Sequence, residues 1–183
     1  IDQMHEELIE FIAESDDTLL EKFFDEGGLS EEELRSGLHD AILNGGVIPL
    51  VATSALKNVG VSRLLDLIAK YYPSPADFPS VTANKSGSGE EVTVSASTDQ
   101  PACLLVFKTV SEPHVGELSF FRVYSGSVKS GMDLKNTTRQ SSERLGQVFS
   151  MNGKNRKDAG ILNAGDIGAV VKLKNTHTGD TLC

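Results

Sequence analysis

VIPLVATSALKNVGVSRLLDLIAKYYPSP, residues Val47 to Pro75, decides how this chain is read. The apolar run Val47 to Val51 predicts a strand. Helix-period apolar residues from Val61 through Leu64, Leu65, Leu67, Ile68 and Tyr71 predict a helix, which the prolines at 73 and 75 end. Between them lies Thr53-Ser54-Ala55-Leu56-Lys57-Asn58. Ligands in open α/β sheets bind just beyond the carboxyl ends of strands, so this loop stands where a ligand-contacting loop belongs. The same six residues could equally be an N-capped start to the helix.

Upstream, Met4, Leu8, Ile9, Phe11, Ile12, Leu19, Leu20, Phe23 and Phe24 recur at helical spacing as far as Gly27-Gly28. They predict one long helix with a potential break near Ser15. Ser30 and Glu33 form a capping box that opens a second helix, with Leu34, Leu38, Ala41 and Ile42 inward, closed by Asn44-Gly45-Gly46. The two predict an αα-hairpin.

Downstream, the stretch to Gln100 is poor in large apolar residues and holds Asn84-Lys85-Ser86-Gly87-Ser88-Gly89, the composition of a linker, with Val92 and Val94 as a candidate short strand. From Ala102, short strands alternate with turn signals at Glu112-Pro113, Ser125-Gly126, Ser130-Gly131, Asn152-Gly153 and Ala164-Gly165-Asp166. The pattern predicts a small antiparallel barrel. Its candidate strands are Cys103 to Val110, Leu118 to Tyr124, Asp133 to Thr137, Arg144 to Met151 and Ile167 to Lys172, with Thr181-Leu182-Cys183 in or just after the last. Because Phe120 and Phe121 are adjacent, only one of them can face the core. The fold class is therefore α+β, in three parts: 1–78 helical with a strand-helix unit, 79–101 linker, and 102–183 barrel.

Several motifs together identify a resemblance. Ser54-Ala55-Leu56-Lys57-Asn58 is similar to the fifth guanine-nucleotide motif of the translational GTPases, elongation factor G in particular, and Tyr72-Pro73-Ser74-Pro75 to the exit from their P-loop GTPase domain. Phe120-Phe121-Arg122-Val123-Tyr124-Ser125-Gly126, Ala164-Gly165-Asp166-Ile167 and Thr178-Gly179-Asp180-Thr181-Leu182-Cys183 resemble successive landmarks of the second-domain barrel that follows. One short motif matches by chance, but several in family order do not. The stretch Ala83 to Gln100 is the least family-like.

The resemblance implies that 1–78 is the end of a GTPase domain with its acidic helical insertion. It also implies a parent protein that uses GTP and magnesium to drive translocation of tRNA and mRNA on the ribosome. Ser54, Ala55 and Leu56 would contact guanine, the Ala55 amide donating to O6. Glu10, Glu14 and Asp17, at i, i+4 and i+7 on the first helix, would dock on the ribosomal stalk protein; read alone, they are a solvated helix face. Arg122, Lys129, Lys135, Arg139 and Arg144 would contact small-subunit ribosomal RNA. A release factor or ribosomal protection factor could carry such a barrel, and a nucleotide-independent protein- or RNA-binding module is the alternative from another class.

No G-x-x-x-x-G-K-[ST] phosphate loop occurs in these residues, so neither hydrolysis nor a bound cofactor is expected of this chain alone. Asp25-Glu26-Gly27-Gly28 matches a D-x-x-G signal but closes an acidic helix, and Asn84-Lys85 lacks the aspartate of N-K-x-D. The strand Val47 to Val51 would leave an edge that invites self-association.

At 183 residues the chain can bury about 70% of its unfolded surface. Its net charge of -9 is uneven: Ile1 to Gly45 carries 14 of 26 acidic and 2 of 17 basic residues. The two halves therefore suit different partners. No stretch is long and apolar enough to span a bilayer and the start lacks a basic signal region, so a cytoplasmic setting is expected. Cys103 and Cys183, 80 residues apart in sequence, read as small core hydrophobes, and His5, His39, His114 and His177 as structural or surface residues.

Overall fold

The computed structural model describes residues 2–78, 80–112 and 116–183. Pro113 of one turn signal and His114 lie outside the described residues. The chain divides into two compact units, Ile1–Pro73 and Ser74–Cys183.

The first unit holds α1 (Asp2–Ala13), α2 (Asp17–Glu26), α3 (Glu31–Leu43) and α4 (Val61–Tyr71). The expected single long helix is two helices. Asp16 takes an extended conformation and its Oδ1 accepts from the amides of Thr18 and Leu19 at 2.9 and 3.1 Å, so it is the N-cap of a new helix. Gly27, in left-handed conformation, ends α2, and its amide donates to the Phe23 carbonyl. At α3 the capping box forms as its spacing predicts: the Ser30 amide donates to Glu33 Oε2 at 2.9 Å and the Glu33 amide to Ser30 Oγ at 3.3 Å. Lys22 of α2 also donates to the Glu33 carboxylate, which ties the two helices together. That bond and the Ser30 contacts hold the carboxyl of Glu33 down to about 2. The small core joins Ile12 and Ala13 to Ala41, and buried Gly37 lets the helices approach: a Cβ there would lie 2.7 Å from Ile12 and 2.8 Å from Leu19.

Val47 to Val51 is not a strand. A strand is defined by a hydrogen-bonded neighbour, and among the described residues none lies beside it. Ile48 and Leu50 are 88% and 97% exposed.

In the second unit, 79–101 is not a plain linker. It contains a hairpin of β1 (Val81–Asn84) and β2 (Glu91–Val94), in register Val81 to Val94. Ser86 of its turn donates to the Thr137 carbonyl at 3.4 Å and accepts from Gln140.

The main sheet contains β3 (Cys103–Glu112), β4 (Gly116–Ser125), β6 (Asp133–Asn136), β7 (Ser141–Arg144), β8 (Val148–Asn152), β9 (Asn155–Asp158), β11 (Ile167–Val171) and β12 (Thr181–Leu182). Their order is β7-β6-β12-β3-β4-β11-β8-β9, every pair antiparallel. A separate pair joins β5 (Ser127–Lys129) to β10 (Ile161–Asn163). Leu134 from one end of the order and Val148 from the other share one buried cluster with Leu104, Val106, Phe121, Val123, Val170 and Leu182. The sheet must therefore curl around a common core, which makes it a barrel.

The expected strand Arg144 to Met151 is two strands. The Leu145 amide donates to the Met132 carbonyl and its carbonyl accepts from Gly131, which turns the chain inward between β7 and β8. Phe121 is fully buried, and Phe120 faces outward beside Phe107, ring centroids 6.4 Å apart. The alternation expected of adjacent aromatics is met.

Candidate functional site

Thr53 to Asn58 is a closed turn. The Ser54 amide donates to the Val59 carbonyl at 2.9 Å and the Val59 amide returns to Ser54 at 3.0 Å. Inside it, Asn58 donates to the Ala55 carbonyl and takes a left-handed φ of 52°, while the Lys57 amide reaches Ser54 Oγ at 3.4 Å. Among the described residues no acceptor pairs with the Ala55 or Leu56 amide, and the Leu56 side chain is 97% exposed. Two N–H donors therefore project from a pinned loop. The helix-cap reading of these residues fails, because the N-cap of α4 is Gly60, with φ of 75° and no side-chain cap.

Glu10, Glu14 and Asp17 are all exposed but do not share one helix face. Glu10 is on α1, Glu14 lies in the turn after it and Asp17 opens α2, because the Asp16 cap interrupts the helix.

The five basic candidates do not converge either. Arg122 on β4 is half-buried, its guanidinium 5.2 Å from the Tyr124 ring centroid. Lys135 and Arg144 lie on neighbouring β6 and β7, where Arg144 faces Asp133 across the ladder and pairs with it at 3.3 Å. Lys129 is exposed on β5. Arg139 is engaged internally: its Nε donates to Asp180 Oδ2 at 2.6 Å, and the Asp180 side chain is 3% exposed.

The family description "Elongation factor G domain 2" matches residues 101–183. The chain is 42% identical over 176 residues to Elongation factor G 2 of Syntrophomonas wolfei subsp. wolfei, an alignment that takes in 96% of this chain and 25% of that protein. This chain belongs to the elongation factor G family. A crystal structure from Thermus thermophilus has the same fold, with a TM-score of 0.77 and 28% identity over 98% of this chain and 24% of that one. The chain thus spans about a quarter of the elongation factor G relative that it matches.

Within the part that matches elongation factor G domain 2, the landmark residues are structural. Gly126 has φ of 68°, and a Cβ there would lie 2.6 Å from the Gln100 carbonyl oxygen and from the Ala102 nitrogen. Its amide donates to Ser97 and its carbonyl accepts from Ala164, while Ser125 Oγ donates to the Pro101 carbonyl at 2.8 Å. The Thr178 to Cys183 landmark encloses a polar centre that sequence reading does not expose. Asp180 Oδ2 accepts from the His177 amide, Asn136 Nδ2 and Arg139 Nε, and fully buried Asn136 also donates to Thr176 Oγ1 at 3.1 Å. Buried Glu143 accepts from the Lys174 and Asn175 amides and from the Thr176 hydroxyl. Asn136, Glu143 and Asp180 each sit among polar neighbours in sequence, so no local pattern marks them as buried.

Proposed function

We propose that this chain is the guanine-contact and ribosome-facing segment of an elongation factor G-type GTPase, whose full-length form couples GTP hydrolysis, with magnesium, to movement of tRNA and mRNA. The observation that carries the reading is the pinned Ser54 to Val59 turn with free Ala55 and Leu56 amides, set in a sequence of this family. Guanine O6 accepts a hydrogen bond where adenine carries a donor, so a fixed N–H at Ala55 discriminates between the two bases. The 88% and 97% exposure of Ile48 and Leu50 also supports it, since this is how a segment of a buried parallel sheet looks without its neighbours.

In the full-length protein, Ala55→Pro removes the donor amide. GTP affinity is expected to fall about tenfold with ATP affinity unchanged, the worth of one hydrogen bond. Equilibrium nucleotide titration checks it, and an unaltered GTP-to-ATP ratio would remove the contact.

The acidic residues of the first unit suit a basic protein surface, with Glu10, Glu14 and Asp17 as docking groups for the ribosomal stalk. Reversing all three to lysine is expected to weaken stalk binding tenfold or more at low salt. Equal affinity of the reversed and native proteins would leave these residues as a solvated surface. On the barrel, exposed Lys129 and Lys135 and stacked Arg122 are the better candidates for ribosomal RNA phosphates, Arg139 being held by Asp180. The setting in which a ribosomal factor acts is the cytoplasm, and no helix among the described residues is long and apolar enough to cross a membrane.

A further inference from the structure

The two cysteines, distant in sequence, meet across the barrel. Thr181 pairs with Leu105 and Leu182 with Leu104, and the next step of that antiparallel register sets Cys183 opposite Cys103. Their Sγ atoms are 3.3 Å apart. The expectation that both are core hydrophobes is overturned, since Cys183 is exposed and Cys103 half-buried.

The backbone favours a bond between them. Cys183 exchanges both of its backbone hydrogen bonds with Lys135 of β6, at 2.9 and 2.7 Å. A residue's N–H and C=O point to the same side of a strand, so toward β3 Cys183 occupies a non-hydrogen-bonded position. In such pairs the Cα atoms approach to about 4.5 Å, inside the range that disulfides span. Closure requires the sulfurs to approach by only about 1.3 Å, from 3.3 Å to a bond length near 2.05 Å. Cys103 also lies in the wall of an apolar pocket of about 190 Å³ shared with Val81, Val94, Leu105 and Tyr124.

We propose that Cys103 and Cys183 are a reactive cross-strand dithiol, a modification site that small-molecule disulfides convert reversibly into a staple between β3 and β12. The Cys183 thiolate attacks one sulfur of a disulfide RSSR and expels RS⁻, leaving a mixed disulfide on Cys183. Cys103 then loses its proton and attacks Cys183 Sγ, expelling the second RS⁻. In sum, two protein thiols and RSSR give one protein disulfide and two RSH, the protein being oxidised and RSSR reduced.

The order of attack follows from the environment. The hydrogen bond with Cys103 brings the Cys183 thiol down to about 7 against the opposing effect of burial, whereas Cys183 and burial push Cys103 up. Once Cys183 is capped its charge is gone, and the main cause that holds Cys103 protonated goes with it.

The test uses oxidised glutathione on the full-length protein, followed by alkylation of free thiols and mass mapping of the peptides that contain Cys103 and Cys183. The expected result is joint loss of both alkylation sites and a cross-linked peptide pair that dithiothreitol reverses. Before oxidation, Cys183 should alkylate about tenfold faster at pH 7.5 than in the Cys103→Ala protein, which loses the hydrogen-bond donor. Cys103→Ala should also stop at the glutathione adduct on Cys183. Persistence of both free thiols, or accumulation of that adduct in the unsubstituted protein, would overturn the proposal.

Discussion

Gly126→Ala is expected to destabilise the barrel by about 3 kcal/mol or more, read as a lower midpoint in urea unfolding of the second unit. Two penalties combine. The backbone at φ of 68° is left-handed, which costs an L residue about 1 kcal/mol or more. The added methyl also meets backbone atoms, the Gln100 oxygen and Ala102 nitrogen, both at 2.6 Å, which no side-chain rotation can move aside. Relief would require displacing 100–102, and that stretch is fastened by the Gly126 amide to Ser97 and the Ser125 hydroxyl to Pro101. Gly153→Ala is the control, since φ there is 59° but nothing lies within 4 Å of the new carbon. It should show the conformational penalty alone, about 1 kcal/mol. Equal losses at the two positions would mean that 100–102 yields freely and that the close approach carries no weight.

Much of the fold is legible wherever the signal is local. The Ser30 and Glu33 capping box, the stop at Gly27 and the alternation at Phe120 and Phe121 each depend on residues within one turn or one strand step, and each appears as its chemistry dictates. Asp16 is also a local signal. Its capping role competes with the apolar periodicity that runs straight across it, and the bonds that its side chain accepts from the Thr18 and Leu19 amides outweigh the continuation of one helix. Strands such as β9, Asn-Arg-Lys-Asp, carry no apolar alternation at all and exist because β8 offers a ladder.

Val47 to Val51 shows the converse, an apolar run that has no strand partner among the described residues. At the candidate site, the loop Thr53 to Asn58 is legible by motif, but the dispersal of the acidic and basic residues follows from the helix break and the strand order. The meeting of Cys103 with Cys183, and of Asn136 and Glu143 with 174–180, is set by β12 inserting between β3 and β6. Contacts across such sequence distance leave no spacing to read.

Just before that inserted strand, Asp180 is a buried acceptor on which three donors converge. Asp180→Ala is expected to cost about 2 kcal/mol, because it takes the acceptor from the His177 amide and from Arg139 at once, while the Asn136 amide keeps Asn175 and Thr176 as acceptors. Arg139→Gln should cost about 1 kcal/mol or less, since the Arg139 side chain is 45% exposed and the His177 and Asn136 donors still hold the buried Asp180 carboxylate. The asymmetry separates the loss of a buried acceptor from the loss of one of its donors, and similar losses in the two variants would contradict it. The same site sets an acid limit. Burial pushes the Asp180 carboxyl upward, but the His177, Asn136 and Arg139 donors together bring it below its ordinary 3.8. A carboxylate depressed in the folded state contributes its full stabilisation above the unfolded value and loses it as pH falls through the folded one. The barrel should therefore hold constant stability down to about pH 4 and weaken below it, and Asp180→Asn, which cannot titrate, should flatten that part of the profile. Urea midpoints of the two proteins between about pH 6 and pH 2.5 measure the difference, and parallel declines would assign the acid sensitivity to carboxyls elsewhere.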